Sequence, residues 1–295
     1  MKHIAVVIIH GAGIHNQSKK DEDSMVAMRD RLIANFKEKT KHNPLKVEVI
    51  YWDEKSELQK RQDKLRKTVE ASGIRFGGFL NWIGFIRQYL FDRLGDIAAY
   101  QPVRDPDLQE QSTYVIVHKT IAQTLAKLKD EAGPDAPLCI IAHSLGSVIA
   151  SNYIYDLQKQ NVKPQLLQEP VSDEIGPEPS PLEQGKTLSC LFTMGSPMAM
   201  WRLRTGKLDK PIEVPIWINF FNNSDVISYP LERLLIQDYG KEIVRDVAVN
   251  TGITPMSHSG YWKNKKVINM IVDQLIDVWN LSNSTPGYSS TTFKA

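Results

Sequence analysis

Three residue types that could carry out acyl-transfer chemistry together stand far apart in this chain: Ser144, Asp225 and His258. A serine hydroxyl is a weak nucleophile near neutral pH. It becomes a competent one when an imidazole takes its proton and a carboxylate holds that imidazole in the right tautomer. The serine has the most telling surroundings. Leu138 to Ala142 is a continuous apolar run, His143-Ser144-Leu145-Gly146 follows, and a helical pattern begins directly after. Such a run reads as a strand covered on both faces. A sharp turn from it into a helix would put Ser144 on a strained backbone with its hydroxyl above the sheet edge. Strand and helix pass close at such a turn, so the residues two before and two after must be small; here they are Ala142 and Gly146. The plain alternative is a serine that merely caps a helix.

In a parallel α/β sheet the working residues sit at the carboxyl ends of the strands, and that rule sorts the seven histidines. His3 opens the first predicted strand and His42 precedes the second, both at the wrong end. His118 falls on a helix. His143 adjoins the serine, and neighbours at such a turn are expected to point apart. His10 and His15 belong to a glycine-containing loop. His258 remains, after the last predicted strand in the context S-H-S-G-Y-W, with a solvated loop histidine as the alternative. Asp225 follows the predicted strand ending at Phe221; Asp209 and Asp238 do not directly follow a strand. An Asx-turn is its alternative role. Developing negative charge on a substrate oxygen needs backbone N–H donors, and two places offer them. One is Leu145 at the start of a helix, where the helix dipole helps. The other is the loop His10-Gly11-Ala12-Gly13, most plausibly Ala12, where glycines let the backbone approach a substrate. A phosphate cradle is the competing use, but G-A-G matches neither G-x-G-x-x-G nor a P-loop lysine motif.

The positioning elements follow from periodicity. Ile4 to Ile9, Lys46 to Trp52, the run before Ser144, Leu188 to Met194, Val214 to Phe221 and Val244 to Val249 read as six strands. Helices are expected from Met25 (Met28, Leu32, Phe36), over Thr113 to Asp130 (Tyr114, Val117, Ile121, Leu125, Leu128), after Ser144 to about Gln158, and at Val267, Ile271, Leu275 and Val278. The acidic Asp21-Glu22-Asp23-Ser24 suits a helix lead-in. The fold expected is a single α/β domain over residues 1–295, with a doubly wound, mostly parallel six-stranded sheet flanked by helices. A helical insertion interrupts it at 53–111. Glu54 to Ser72 reads as an exposed helix. Gly73 to Tyr100 is aromatic-rich, with Phe79, Trp82, Ile83, Ile86 and Leu90 at helical spacing. It reads as a cap or lid, a lipid-facing surface, or a helix packed on the core. Residues 161–186 form an acidic loop with five prolines, and 282–295 a Ser/Thr-rich tail expected to be flexible.

Composition narrows the classes. With 42% hydrophobic residues the chain can bury a sizeable core, and 36 basic against 34 acidic residues give a net charge of +2. That balance offers no electrostatic reason to expect nucleic acid as a partner. Cys139 and Cys190 fall in predicted core strands and suit buried, reduced thiols. The apolar N-terminal run is too short and lacks the cleavage site of a signal peptide. No segment reaches the ~18 uninterrupted apolar residues of a membrane span. A cytoplasmic protein is the expectation, with peripheral membrane contact through 73–100 left open.

Taken together, IIHGAG, IAHSLGS, TMGSP, the post-strand Asp225 and SHSGYW resemble the α/β-hydrolase superfamily in its lipase and esterase branch. The match at the serine is A-x-S-x-G, where the commoner nucleophile elbow is G-x-S-x-G; Ala142 departs from it by one methyl group. The resemblance covers about His3 to Leu281, excluding 53–111 and the proline-rich loop. It implies Ser144, Asp225 and His258 in the order Ser, Asp, His, the base following the final strand. It further implies an oxyanion hole from Ala12 and Leu145, with His10, Gly11, Gly13, Ala142 and Gly146 shaping the turn and loop. No metal or cofactor is implied, and the reaction passes through an acyl-serine. The sheet is minimal, because two strands that often precede the first are absent. The usual cap position, between the fourth and fifth strands, is nearly empty, so 53–111 would supply any cover. The substrate expected is a small-molecule ester or lipid. Thioester or amide hydrolysis, or a catalytically silent binding or scaffold protein on the same sheet, are the alternatives.

Overall fold

The computed structural model describes residues 2–11, 18–52, 58–73, 95, 97–101, 112–159, 171, 174–206, 212–253 and 256–284. Its elements are, in chain order, β1 (Ile4–Ile9), α1 (Ser18–Thr40), β2 (Leu45–Ile50), α2 (Leu58–Ala71), α3 (Thr113–Ala132), β3 (Leu138–His143) and α4 (Leu145–Lys159). There follow β4 (Leu188–Met194), α5 (Met198–Thr205), β5 (Ile216–Phe221), α6 (Glu232–Tyr239), β6 (Arg245–Ala248), a 3₁₀ helix (Met256–Lys263) and α7 (Lys265–Ser284).

The six strands form one sheet in the order β2-β1-β3-β4-β5-β6, and every pairing is parallel. The continuous apolar runs have a direct cause. Ile4, Val6 and Ile8 face Met25, Met28, Leu32 and Phe36 of α1 and Ile268, Ile271 and Leu275 of α7. Ala5, Val7 and Ile9 face the opposite layer, with Val117, Ile121 and Leu125 of α3 and Ile149 and Tyr153 of α4. With helices on both faces, every position of β1 and every position of β3 up to Ala142 is apolar, and His143 at the end of β3 is its one polar side chain. Each fully buried Ile, Leu or Val contributes roughly 1.5–3 kcal/mol, so both layers hold the sheet firmly. Cys139 and Cys190, opposite each other in the β3–β4 register, are buried free thiols.

Helix ends follow local chemistry. The Ser112 hydroxyl accepts from the Val115 N–H at 3.2 Å and starts α3, and Gly133 ends it at φ 106°. The structure moves several boundaries. α1 begins at Ser18 rather than Met25, so the acidic residues lie inside its N-terminal part instead of ahead of it. β2 stops at Ile50, leaving Trp52 beyond the strand, stacked on His10 with centroids 5.1 Å apart. α7 runs to Ser284, so residues 282–284 belong to the helix and not to the tail. Of the insertion, the exposed helix is present as α2. Tyr100, near its far end, is tied into the core by a 2.8 Å hydrogen bond to His118 Nε2 on α3. The aromatic-rich stretch 74–94 lies outside the described residues, apart from which no described helix is long and apolar enough to cross a membrane. Of the proline-rich loop, 160–170 and 172–173 lie outside them too.

The chain leaves β1 toward β2 on one side and, from β3 onward, adds strands on the other. The reversal lies between β1 and β3, and such a switch point opens a crevice beyond the strands' carboxyl ends. Gly11 and Ser144 follow those two strands.

Candidate active site

Ser144 sits between the last residue of β3 and the first of α4, at φ +54°. A non-glycine residue in this region carries strain of order 1–3 kcal/mol, so its surroundings must hold it. They do so from three sides. The Ser144 N–H donates to the Met194 carbonyl at the end of β4, at 2.9 Å. The Ser144 carbonyl accepts the Ser147 N–H at 3.0 Å and the Ser147 hydroxyl at 2.6 Å. Ser147 Oγ is in turn 2.7 Å from Ser196 Oγ, which accepts the Met198 N–H at 3.3 Å. Since Ser147 donates to the Ser144 carbonyl, Ser196 is the donor in the hydroxyl pair, and the chain of bonds is complete.

Small residues are needed where backbones approach. A Cβ on Gly146 would fall 2.5 Å from the His10 carbonyl oxygen and 2.7 Å from that of Ile9. A Cβ on Gly11 would fall 2.8 Å from Ser144 Oγ. Ala142, by contrast, places its methyl in the buried cluster between β3 and the α3–α4 layer. One small position therefore tolerates a methyl group and the other does not. Gly146→Ala is expected to lower stability by about 1–3 kcal/mol, the usual range for overpacking, because β1 and α4 must part. A urea titration with unchanged m-value checks it.

The other two residues arrive from the far side of the sheet. His258 Nε2 lies 2.8 Å from Ser144 Oγ. His258 Nδ1 lies 2.9 Å from Asp225 Oδ2 and 3.1 Å from Oδ1. All three side chains are buried. An ionised carboxylate can only accept, so Nδ1 carries the hydrogen and Nε2 presents its lone pair to the serine hydroxyl. Burial by itself would raise the Asp225 carboxyl. The imidazole, the Ile227 N–H and the Tyr261 hydroxyl outweigh it and hold the carboxyl below its ordinary value. Tyr261 donates to Asp225 Oδ2 at 3.0 Å, and burial pushes its own phenol upward.

The loops bearing acid and base are laced together. Asn222 Nδ2 donates to Thr251 Oγ1 at 2.7 Å, Thr251 Oγ1 donates to the Ser257 carbonyl at 2.7 Å, and Ser257 Oγ donates to the Ser224 carbonyl at 3.2 Å. Gly195, at φ +59° just past β4, closes the floor: a Cβ there would meet Tyr261 at 3.0 Å, His258 Cε1 at 3.2 Å and Asp225 Oδ2 at 3.3 Å.

The structure thus brings Ser144, Asp225 and His258 together, with Gly11 against the serine and Gly146 against the Ile9 and His10 carbonyls. Leu145 is the first residue of α4, and its N–H takes no backbone acceptor among the described residues. His10 is buried at the end of β1 beside Trp52. Ala12 and Gly13 lie outside the described residues. Four supports escape sequence reasoning: Ser147, Ser196, Gly195 and Tyr261. The TMGSP and SHSGYW stretches contain three of them, but nothing local says that they meet. His143, expected to point away, instead touches the base. Among the described residues no group of three or more His, Cys, Asp or Glu side chains could hold a metal ion. Compared with known proteins, the chain matches no family model and no curated sequence.

Proposed function

We propose that the protein is a serine hydrolase of the α/β-hydrolase type that cleaves carboxylic esters. The observation that carries the reading is the unbroken relay from Ser144 Oγ through His258 to Asp225, at 2.8 and 2.9 Å. Ser144 Oγ attacks the acyl carbonyl while His258 Nε2 takes its proton. The resulting imidazolium is stabilised by Asp225, which stays ionised. The Leu145 N–H at the helix N-terminus supplies one oxyanion donor, and the loop after β1, around Ala12, the second. The tetrahedral adduct collapses as His258 returns the proton to the leaving alkoxide. Water then repeats the sequence on the acyl-serine, releasing the acid and the free enzyme.

The aromatic-rich stretch of the sequence from Gly73 to Tyr100 favours a lipid-like or long acyl group. No metal or cofactor takes part in this scheme. A fluorophosphonate probe tests the assignment: covalent labelling of the folded protein at Ser144 is expected, and a panel of p-nitrophenyl esters of increasing chain length should show turnover. A folded wild type that neither labels nor turns over any ester would leave a binding or scaffold role instead.

A further inference from the structure

His143 takes no part in the acyl-transfer steps, yet it is buried and its imidazole reaches the proposed base. His143 Nε2 lies 2.6 Å from the main-chain carbonyl oxygen of His258. A carbonyl only accepts, so His143 donates from Nε2. The two imidazoles thus use opposite nitrogens as donors: Nε2 in His143 and Nδ1 in His258. Their ring centroids are 4.7 Å apart, and the His143 ring also lies 5.0 Å from Trp262 and 5.9 Å from Tyr261. Packing of this kind fixes the ring and leaves the N–H one direction to point.

The consequence is mechanical. Ser144 rides on a rigid strand-to-helix turn, whereas His258 lies in a short 3₁₀ helix on a loop, 114 positions further along the chain. Short 3₁₀ segments have poorer hydrogen-bond geometry than α-helices, so the Oγ–Nε2 separation needs an outside constraint. The residue immediately before the nucleophile provides one by gripping the main chain of the base. Resting on the hydrolase reading above, we infer that His143 is a positioning residue: its Nε2–H bond to the His258 carbonyl ties the base to the elbow and sets the distance across which the proton moves. A misplacement of ~1 Å at such a centre can cost on the order of 10²-fold in rate.

Two substitutions separate the N–H from the bulk of the ring. His143→Leu removes the donor, while His143→Gln carries an amide N–H at about the reach of Nε2. In His143→Leu, kcat for the best ester and the rate of fluorophosphonate labelling are expected to fall together by roughly 10²-fold, with KM nearly unchanged. In His143→Gln most of the rate should return. A second readout needs no turnover: the downfield proton resonance of the His258 Nδ1–H, identified by its loss in His258→Gln, should vanish in His143→Leu and persist in His143→Gln. Should His143→Leu not fold, His143→Asn replaces it, because its shorter amide matches Nδ1 and not Nε2. An active wild type beside a His143→Leu with unchanged kcat and an intact resonance overturns the inference, as does equal impairment of the Leu and Gln variants. A wild type without labelling or turnover, in which the resonance still depends on the residue 143 donor, overturns the hydrolase reading and leaves the tie standing.

Discussion

Ser144→Ala is expected to abolish ester turnover and fluorophosphonate labelling, a loss of roughly six orders of magnitude if the proposed triad acts as a unit as it does in serine hydrolases. The expectation follows from geometry: the hydroxyl 2.8 Å from His258 Nε2 is the one removed. The same position makes a separate prediction about stability. Ser144 occupies φ +54°, a region in which an L-residue pays a steric penalty that glycine does not. Ser144→Ala and Ser144→Gly lose the same hydroxyl, so the difference between them isolates the backbone. Ser144→Gly is expected to be the more stable of the two by about 1 kcal/mol, read from urea denaturation midpoints at equal m-value. Equal midpoints would mean that the turn is unstrained, and the reason for a special strand-to-helix geometry would go with it.

Asp225→Asn is expected to lower kcat by about 10⁴-fold with little change in fold, because the amide can stabilise the wrong imidazole tautomer. Its Nδ2 donates where the carboxylate accepted, so His258 Nδ1 loses its hydrogen and Nε2 no longer presents a lone pair to Ser144. The substitution also bears on acid stability. The Asp225 carboxyl is held below its ordinary value of 3.8 in the folded protein, so the unfolded chain binds a proton more readily than the native state does. The stabilisation is therefore fully present above the ordinary carboxyl range. It is lost as pH falls below that range and through the depressed folded value. Thermal unfolding of wild type and Asp225→Asn from neutral to acidic pH should show a gap in Tm that is widest near neutrality and narrows below about pH 4. A gap independent of pH would mean that the carboxyl is not ionised where it is bonded to His258, Ile227 and Tyr261.

Much of this was legible in advance, for reasons that differ from residue to residue. β1 and β3 are legible because helices cover both faces, which leaves a continuous apolar run over Ile4 to Ile9 and Leu138 to Ala142. Ser144 was legible because a sharp strand-to-helix turn leaves a local record, small residues on either side. Asp225 and His258 carry no such record. They follow from the rule that strand ends at one edge hold the working residues and from resemblance to a known family. Helix starts are less legible: α1 begins at Ser18, seven residues before Met25, where the apolar periodicity sets in.

His143 shows where local reasoning fails. Successive residues on a strand point to opposite faces, which argued that a neighbour of Ser144 would lie away from the site. The left-handed turn at Ser144 changes the direction of the chain, and the loop after β6 folds back to lie against the His143 ring. By itself the sequence determined the strands, the sharp turn that carries Ser144, and the residue types available at the edge of the sheet, since each depends on neighbours within a few positions. Only the tertiary structure decided that Tyr261 bonds the Asp225 carboxylate, that Ser196 braces the elbow through Ser147, and that His143 grips the main chain of His258. Those bonds join residues 36, 49 and 115 positions apart. A hydrogen bond holds only within a few tenths of an ångström, and that closeness is set by strand register and loop docking, which no local pattern encodes.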